Sequence, residues 1–296
     1  MTKINILLFS KSGQVGWELR RSTSLIGQLA AHDRSTCDMT NLDELRNVIV
    51  AAKPNVIVNA AAYTAVDKAE QDPIAAFQIN SEAVAVMAEL ATKSDALLTH
   101  YSTDYVFDGF KPSPYTESDK INPLSVYGKS KAQSEQVIIN SGCRHLIFRT
   151  SWVFGAQGHN FTKTILELAG VRNTLRVVND QIGAPTSAEL IADVTAHAIR
   201  DILAGRAPGG LYHLAAAGET SWHGYANFVL EQARLLGIPL KTYNAEPISS
   251  SEYPLPAKRP ANSRLDTTKL QTTFGLRMPD WRYHLARTVQ ELAERH

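Results

Sequence analysis

A tyrosine and a lysine with helical spacing are the residues of this sequence best suited to proton transfer. Tyr127 and Lys131 precede a stretch of helix-like composition. In a helix that starts near Tyr127 the two side chains lie one turn apart on the same face, whereas Lys129 points elsewhere. A free tyrosine titrates near ~10, and a neighbouring cation favours its phenolate form. The pair therefore predicts a proton donor with a lowered pKa.

A hydroxyl at the end of the preceding strand would complete such a site. Ser102 and Thr103 follow an apolar run, and either could hold a substrate oxygen in line with Tyr127. The alternative is structural, because most pairs with this spacing are a partly buried tyrosine and a solvated lysine. The elements before the pair must decide between these two interpretations.

Length and composition restrict the class of protein. The chain has 296 residues, 44% of them hydrophobic and 20% charged, which is ordinary for a globular protein of one or two domains. A net charge of +1 gives no electrostatic reason to expect nucleic acid or membrane partners. Cys37 and Cys143 lack the spacing of a metal site or a disulfide framework, which indicates a reducing compartment.

The start of the chain also bears on its location. The apolar run at residues 4–9 is too short for a signal peptide, and a glycine turn follows at once. No apolar run in the sequence reaches the length of a membrane span. We therefore expect a cytoplasmic protein.

Residues 4–16 have the layout of a dinucleotide-binding crossover. A buried strand at 4–9 leads into a turn with Gly13 and Gly16, and a helix-like segment follows. Small residues let the backbone approach a pyrophosphate, and the helix N-terminus supplies N–H groups. Ser10 stands where the first glycine is expected, and a positive φ costs serine energy. The alternative is a tight turn that binds no ligand.

An acidic residue about 20 positions after this turn would bind the adenosine ribose. Asp33 has that position, after a strand predicted at 28–31. Arg34 could instead contact a 2′-phosphate, so NADH and NADPH both remain open. Asp38 and Met39 follow and are expected near the adenine.

A third strand is predicted at 54–59, and the small residues after it suit a ligand that crosses the sheet edge. The next helix, predicted at 73–93, contains Asn80 among apolar residues, although asparagine prefers helix caps. Asn80 could admit a water and relay protons to Lys131, or it could hydrogen-bond a neighbouring loop. We favour the relay.

Strands and helices alternate through about residue 150, which predicts an α/β fold of the Rossmann type, with a doubly wound parallel sheet. The second half is less regular. We expect a dinucleotide-binding domain at residues 1–150. Residues 151–296 should form mainly a smaller C-terminal substrate-binding lobe, with some segments returning to the sheet.

Several motifs stand together in a consistent order. They are Gly13-x-x-Gly16, Asp33, Asn59-Ala60-Ala61-Ala62, Asn80, Ser102-Thr103-Asp104 and Tyr127-x-x-x-Lys131. The set resembles the extended short-chain dehydrogenase/reductase family, and the resemblance covers the whole chain. It implies that Tyr127 donates a proton, that Lys131 lowers the pKa of Tyr127 and holds the nicotinamide ribose, and that Thr103 orients a sugar carbonyl.

The resemblance also implies the residues that bind ligands. Those expected around the cofactor are Gly13, Gln14, Val15, Asp33, Asp38, Met39, Ala62, Tyr63, Thr64, Tyr101, Tyr127 and Lys131. Those expected on the nucleotide sugar are Thr103, Asp104 and Trp152.

The implied activity is reduction of the C4 ketone of a dTDP-linked keto-sugar by NADPH or NADH, in a monomer or homodimer. Some members of the group use Mg²⁺, although the sequence contains no compact set of metal ligands. Two alternatives remain: another nucleotide-sugar 4-ketoreductase or epimerase, and a non-catalytic regulatory subunit with the same fold.

Overall fold

A parallel β-sheet forms the centre of the molecule in the computed structural model, which describes residues 4–295. Its strands are β1 Asn5–Phe9, β2 Gln28–His32, β3 Val56–Asn59, β4 Leu97–Thr103 and β5 His145–Thr150. Short strands follow in the second half: β6 Val153–Phe154, β7 Arg176–Val178, β8 Ile182–Gly183, β9 Thr186–Ser187, β10 Gly210–His213, β11 Thr220–Ser221 and β12 Glu246–Ile248.

The order of the strands creates the crevice in which a ligand can bind. The order is β10-β5-β4-β3-β1-β2, and all neighbours in this sheet are parallel. The chain moves outward from β1 to β2 and then returns across β1 to β3. Such a reversal opens a crevice at the carboxyl ends of the strands. The predicted Rossmann-type, doubly wound α/β fold is confirmed, and β10 comes from the second half of the chain.

The helices of the first half are α1 Gln14–Thr23, α2 Leu42–Ala52, α3 Val66–Ala69, α4 Pro73–Phe77, α5 Ala83–Ser94 and α6 Val126–Ser141. Those of the second half are α7 Phe161–Val171, α8 Ala188–Leu203, α9 Trp222–Leu235, α10 Thr268–Phe274 and α11 Trp281–Ala293. A π-helical turn, Gln78–Glu82, joins α4 to α5 and contains Asn80.

Alternation along the strands divides the core into two layers. Leu8 and Val58 belong to the cluster that includes residues of α8, whereas Leu7 and Ile57 belong to the cluster that includes residues of α2 and α5. Successive side chains of a strand point to opposite faces, so each strand is apolar on both sides, as buried parallel strands require.

Helix α6 begins and ends at recognisable caps. The Ser125 hydroxyl accepts a hydrogen bond from the Gly128 backbone N–H at 3.1 Å, and Gly142 ends the helix with φ of 72°. These are the side-chain N-cap and the left-handed C-terminal glycine that stabilise helix ends. The N-cap fixes the residue at which α6 begins, and with it the position of Tyr127 in the first turn.

One helical stretch, Pro73–Ser94, is long and apolar enough by length and composition to span a membrane, in contrast to the expectation from the sequence. Half of its most apolar window is buried inside the fold. A core helix meets the same criteria, so this stretch is weak evidence for a membrane segment.

Candidate active site

Tyr127 lies in the first turn of α6, at the carboxyl edge of the sheet. The Tyr105 ring packs edge-on against the Tyr127 ring, with centroids 5.7 Å apart. Burial raises the pKa of Tyr127, the Thr103 hydroxyl acts in the opposite direction, and the nearby Asp104 raises it further. Of the two candidate hydroxyls, the structure therefore places that of Thr103 beside the phenol.

The expected effect of Lys131 on the tyrosine is wrong for this arrangement of side chains. The sequence predicted that the Lys131 ammonium lowers the pKa of Tyr127, but burial dominates and raises it. The Lys131 amino group lies instead 3.0 Å from His100 Nε2. Burial lowers the pKa of Lys131 to about 7, against a smaller opposing effect of Glu135.

Thr103 and Asp104 form a buried polar corner next to the phenol. The Thr103 hydroxyl donates to Asp104 Oδ1 at 3.0 Å, while Asp104 Oδ2 is buried without a hydrogen-bond partner among residues 4–295. Burial raises the pKa of Asp104 to about 6, although the hydroxyls of Ser263 and Thr103 oppose this shift. An unsatisfied buried carboxylate oxygen is costly, so this corner suits a hydroxyl-bearing ligand.

Ser102 takes a different role from Thr103 because it points to the other face of β4. Its hydroxyl donates to Glu135 Oε1 at 2.5 Å. Arg149 forms a two-pronged ion pair with the same carboxylate, at 2.9 Å and 2.6 Å. Both charged side chains are at most 5% exposed. Ser102 is thus committed to a structural ion pair.

The glycine turn has the geometry of a phosphate-binding loop. Ser10 has φ of 70°, the strained value expected where it replaces glycine. A Cβ on Gly16 would lie 1.8 Å from the Ser10 carbonyl oxygen, so only glycine fits there. Gly13 caps α1 without a side-chain hydrogen bond. The first backbone N–H groups of α1 are therefore available to an anion, which fits a dinucleotide pyrophosphate.

A cavity of about 360 Å³ continues from this turn and is here named the adenosine pocket. Six residues predicted to bind the cofactor line it together: Asp33, Asp38, Met39, Ala62, Tyr63 and Thr64.

The charges at the mouth of the adenosine pocket are partly exposed. Asp33 accepts from the Ser35 hydroxyl at 2.6 Å and lies 3.6 Å from the Lys11 amino group. These contacts, with the Ser35 hydroxyl first, lower the pKa of Asp33. Arg34 is 85% exposed at the side chain and lies 3.5 Å from Asp38. A ribose hydroxyl and a 2′-phosphate would each find a partner here.

Asn80 holds the wall of the adenosine pocket. Its Oδ1 accepts from the Tyr63 backbone N–H at 2.8 Å, and its Nδ2 donates to the Tyr63 carbonyl and to the Ser130 hydroxyl. Our preference for a proton relay is not supported by these contacts. The structure shows the second interpretation, in which Asn80 hydrogen-bonds a neighbouring loop, and it places the residue in a π-helical turn.

Four predicted site residues make contacts outside the adenosine pocket. Tyr101 shares a 2.8 Å hydrogen bond with the Thr195 hydroxyl, and Val15 packs on the core cluster that includes α8. The side chains of Gln14 and Trp152 contact the second half of the chain: Gln14 Oε1 accepts from Asn160 Nδ2 at 2.9 Å, and the Trp152 ring stacks on Trp222 at 3.8 Å. Trp152 has a strained φ of 49°.

A larger cavity of about 540 Å³ lies behind the ion pair of Glu135 and Arg149. Other charges on its wall are paired as well: Asp119 with Lys111 at 2.6 Å, and Lys269 with the Leu211 carbonyl at 2.7 Å. These contacts favour a structural role for the cavity over a catalytic one.

Metal chemistry has no support in the described residues. Within 4–295, no group of three or more His, Cys, Asp or Glu side chains is arranged to hold a metal ion.

Sequence reasoning gave no role to three buried residues near Tyr127. His100, Glu135 and Arg149 are each at most 4% exposed. Two signals were available: His100 and Ser102 share one face of β4, and Lys131 and Glu135 lie one turn apart on α6. Neither signal indicates which partner each side chain takes.

Comparisons with known proteins show what this chain is similar to. The family described as RmlD substrate binding domain matches residues 4–294. The dTDP-4-dehydrorhamnose reductase of Salmonella typhimurium is 48% identical, and the match covers 98% of this chain and 98% of that protein. The protein of the same name from Burkholderia thailandensis is 46% identical, over 98% of this chain and 99% of its own length.

A solved structure extends the comparison to three dimensions. The crystal structure of dTDP-4-dehydrorhamnose reductase from Bacillus anthracis, in complex with NADP, has a TM-score of 0.90 at 31% identity and covers 98% of this chain and 100% of that one. The resemblance inferred from the motifs is confirmed: the chain belongs to the dTDP-4-dehydrorhamnose reductase family.

Proposed function

We propose that the protein reduces the C4 ketone of dTDP-4-dehydro-L-rhamnose to dTDP-L-rhamnose, with Tyr127 as the proton donor. The name shared by relatives that match nearly the full chain supports the substrate. The observation that carries the proposal is the position of Tyr127 and Thr103 at the sheet edge that also bears the glycine turn and the adenosine pocket.

The cofactor is NADPH or NADH, which supplies the hydride when it is bound. Gly13, Gln14 and Val15 would hold its pyrophosphate at the N-terminus of α1. Tyr101 and the residues of the adenosine pocket would hold the rest of the nucleotide, and Lys131 would hold the nicotinamide ribose.

The remaining chemistry belongs to side chains of the chain itself. Thr103 orients the sugar ketone, and Tyr127 donates its phenolic proton to the oxygen that becomes the new hydroxyl. Asp104 accepts from a sugar hydroxyl at Oδ2, which has no hydrogen-bond partner in the described part of the chain, and Trp152 packs against the nucleotide sugar. Holding these groups in position contributes most of the catalysis, because the proton moves over only one hydrogen bond.

The two halves of the chain divide these tasks. Residues 1–150 bind the dinucleotide, and residues 151–296 mainly bind the nucleotide sugar, although β10 belongs to the central sheet. The protein acts in the cytoplasm as a monomer or homodimer, without nucleic acid or membrane partners. Its balanced charge of +1 supports the last point.

The direct test follows cofactor absorbance with enzymatically made dTDP-4-dehydro-L-rhamnose and either NADPH or NADH. We expect steady oxidation of the added cofactor and a lower kcat/KM for UDP- and GDP-linked analogues. An epimerase would convert the sugar without consuming cofactor, and a regulatory subunit would bind NADP(H) without turnover. Either result would overturn the proposal.

A further inference from the structure

Four buried polar side chains that meet at the His100 ring are here named the His100 cluster. They are Asn59, His100, Lys131 and Ser134, each at most 2% exposed. His100 lies at the centre: its Nδ1 is 3.2 Å from Asn59 Nδ2, and its Nε2 is 3.0 Å from both Ser134 Oγ and Lys131 Nζ. Because these groups are buried, the position of every proton matters.

Asn59 determines which nitrogen of His100 accepts. The Asn59 Oδ1 accepts a hydrogen bond from the Ala61 backbone N–H at 3.0 Å. This contact fixes the amide orientation, so the Asn59 NH₂ faces the ring. An amide NH₂ only donates, so His100 Nδ1 must accept and carry no proton. A neutral imidazole then carries its proton on Nε2.

Ser134 leads independently to the same tautomer. The Ser134 hydroxyl donates its proton to the Lys131 carbonyl at 2.6 Å. Its oxygen is left as an acceptor, and the group that faces it at 3.0 Å is His100 Nε2. Two neighbours on opposite sides of the ring therefore place the proton on Nε2.

This tautomer has a consequence for Lys131. An ammonium has three donors and no acceptor, so it opposes an N–H group 3.0 Å away. An uncharged amine has a lone pair, so it can share the single Nε2–H with Ser134 Oγ in a three-centre hydrogen bond. Burial alone also disfavours the ammonium and lowers the pKa of Lys131 to about 7. Burial first and Lys131 second lower the pKa of His100, which disfavours the imidazolium form.

Other charges nearby do not remove this conflict. The titratable groups that act on Lys131 are His100 from β4 and Glu135 on α6 itself. Arg149 from β5 pairs with Glu135, and Asp104 and Tyr105 from the turn after β4 act on Tyr127. Glu135 favours the ammonium, but its carboxylate is bonded on both oxygens by Arg149.

We propose that His100 is a positioning residue of the reductase, which disfavours the ammonium form of Lys131 by holding Nε2–H toward the lysine nitrogen. His100 thereby sets the pH at which Lys131 loses its proton. The inference rests on the proposed function only for the part that Lys131 has in turnover. The tautomer and its effect on Lys131 follow from the contacts alone.

The first test measures the tautomer without any turnover. Long-range ¹H–¹⁵N NMR of the wild-type protein distinguishes an imidazole protonated on Nε2 from one protonated on Nδ1 and from an imidazolium. We expect His100 to be neutral with its proton on Nε2 throughout the neutral range. Protonation on Nδ1, or an imidazolium at neutral pH, would overturn the inference, whatever the activity of the protein.

The second test uses the pH profile of kcat. In His100→Gln a side-chain carbonyl can face Lys131 and accept from the ammonium, so the alkaline limb should move up by about one pH unit. His213→Gln is the matched control, because His213 is also fully buried in the sheet and does not contact Lys131. Its limb should coincide with that of the wild type. A purely structural role would lower kcat in both variants and leave both limbs in place.

Discussion

The adenosine pocket and the His100 cluster lie at the same end of the sheet but differ in solvent exposure. In the pocket, the Arg34 side chain is 85% exposed and that of Asp33 is 21% exposed. In the cluster, Lys131 and His100 are at most 1% exposed. A charged side chain of the pocket can be replaced at small cost in stability, because water screens its charge. The cluster must satisfy every donor and acceptor internally.

This difference separates recognition from proton control. Under the proposed function, the exposed charges around Asp33 would distinguish one cofactor from another. The groups proposed to donate a proton or to influence its transfer, Tyr127 and Lys131, are partly and fully buried, respectively. In a buried site, a small change in hydrogen-bond partners shifts a pKa strongly. Substitutions in the two regions should therefore produce different kinds of effect.

The largest effect is expected at Tyr127. Tyr127→Phe removes the phenolic proton but keeps the ring that packs on Tyr105, so kcat should fall about 10²–10⁴-fold. NADPH binding, followed by the quenching of protein fluorescence, should remain within a few-fold of the wild type. A variant with near-normal turnover would remove Tyr127 from the mechanism.

Breaking the buried ion pair should destabilise the fold. Arg149→Leu leaves Glu135 buried without its cation, and such a change costs about 3–5 kcal/mol. Urea unfolding followed by circular dichroism measures this loss. The double variant Arg149→Leu, Glu135→Leu should recover most of it, since no buried charge is left unpaired. Equal stability of the single and double variants would contradict this explanation.

Asp104 should make stability depend on pH. Its pKa is raised to about 6, so the native state holds the proton more tightly than the unfolded chain, and the buried carboxylate destabilises the fold progressively as pH rises through about 6. Asp104→Asn removes this dependence. The advantage of the variant in urea unfolding should grow by roughly 1–2 kcal/mol between about pH 5 and about pH 8. An advantage that stays constant over this range would contradict the assigned titration.

The smallest effect is expected in the adenosine pocket. Arg34→Ala removes an exposed cation that a 2′-phosphate would contact, so KM for NADPH should rise about 3–10-fold while KM for NADH stays unchanged. Unfolding midpoints should match those of the wild type. A parallel change in both KM values would place the 2′-phosphate elsewhere.

The sequence predicted the parts of the molecule that local patterns determine. The alternation of strands and helices led to the α/β fold, and the strained Ser10 follows from its place in the glycine turn. The partners of buried polar residues were not predictable, because they depend on which strand faces α6. Lys131 contacts His100, which lies 31 positions away in the chain, and Asn80 holds Tyr63 across 17.

The central claim is hydride transfer to the C4 ketone of a dTDP-linked sugar, and isotope labelling tests it most directly. The protein is incubated with the keto-sugar and NADPH that carries deuterium at the transferable position of nicotinamide C4, and the product is analysed by NMR. We predict one deuterium at C4 of the sugar and one NADPH oxidised per sugar reduced. A product without deuterium at C4, or sugar conversion without NADPH oxidation, would contradict the claim.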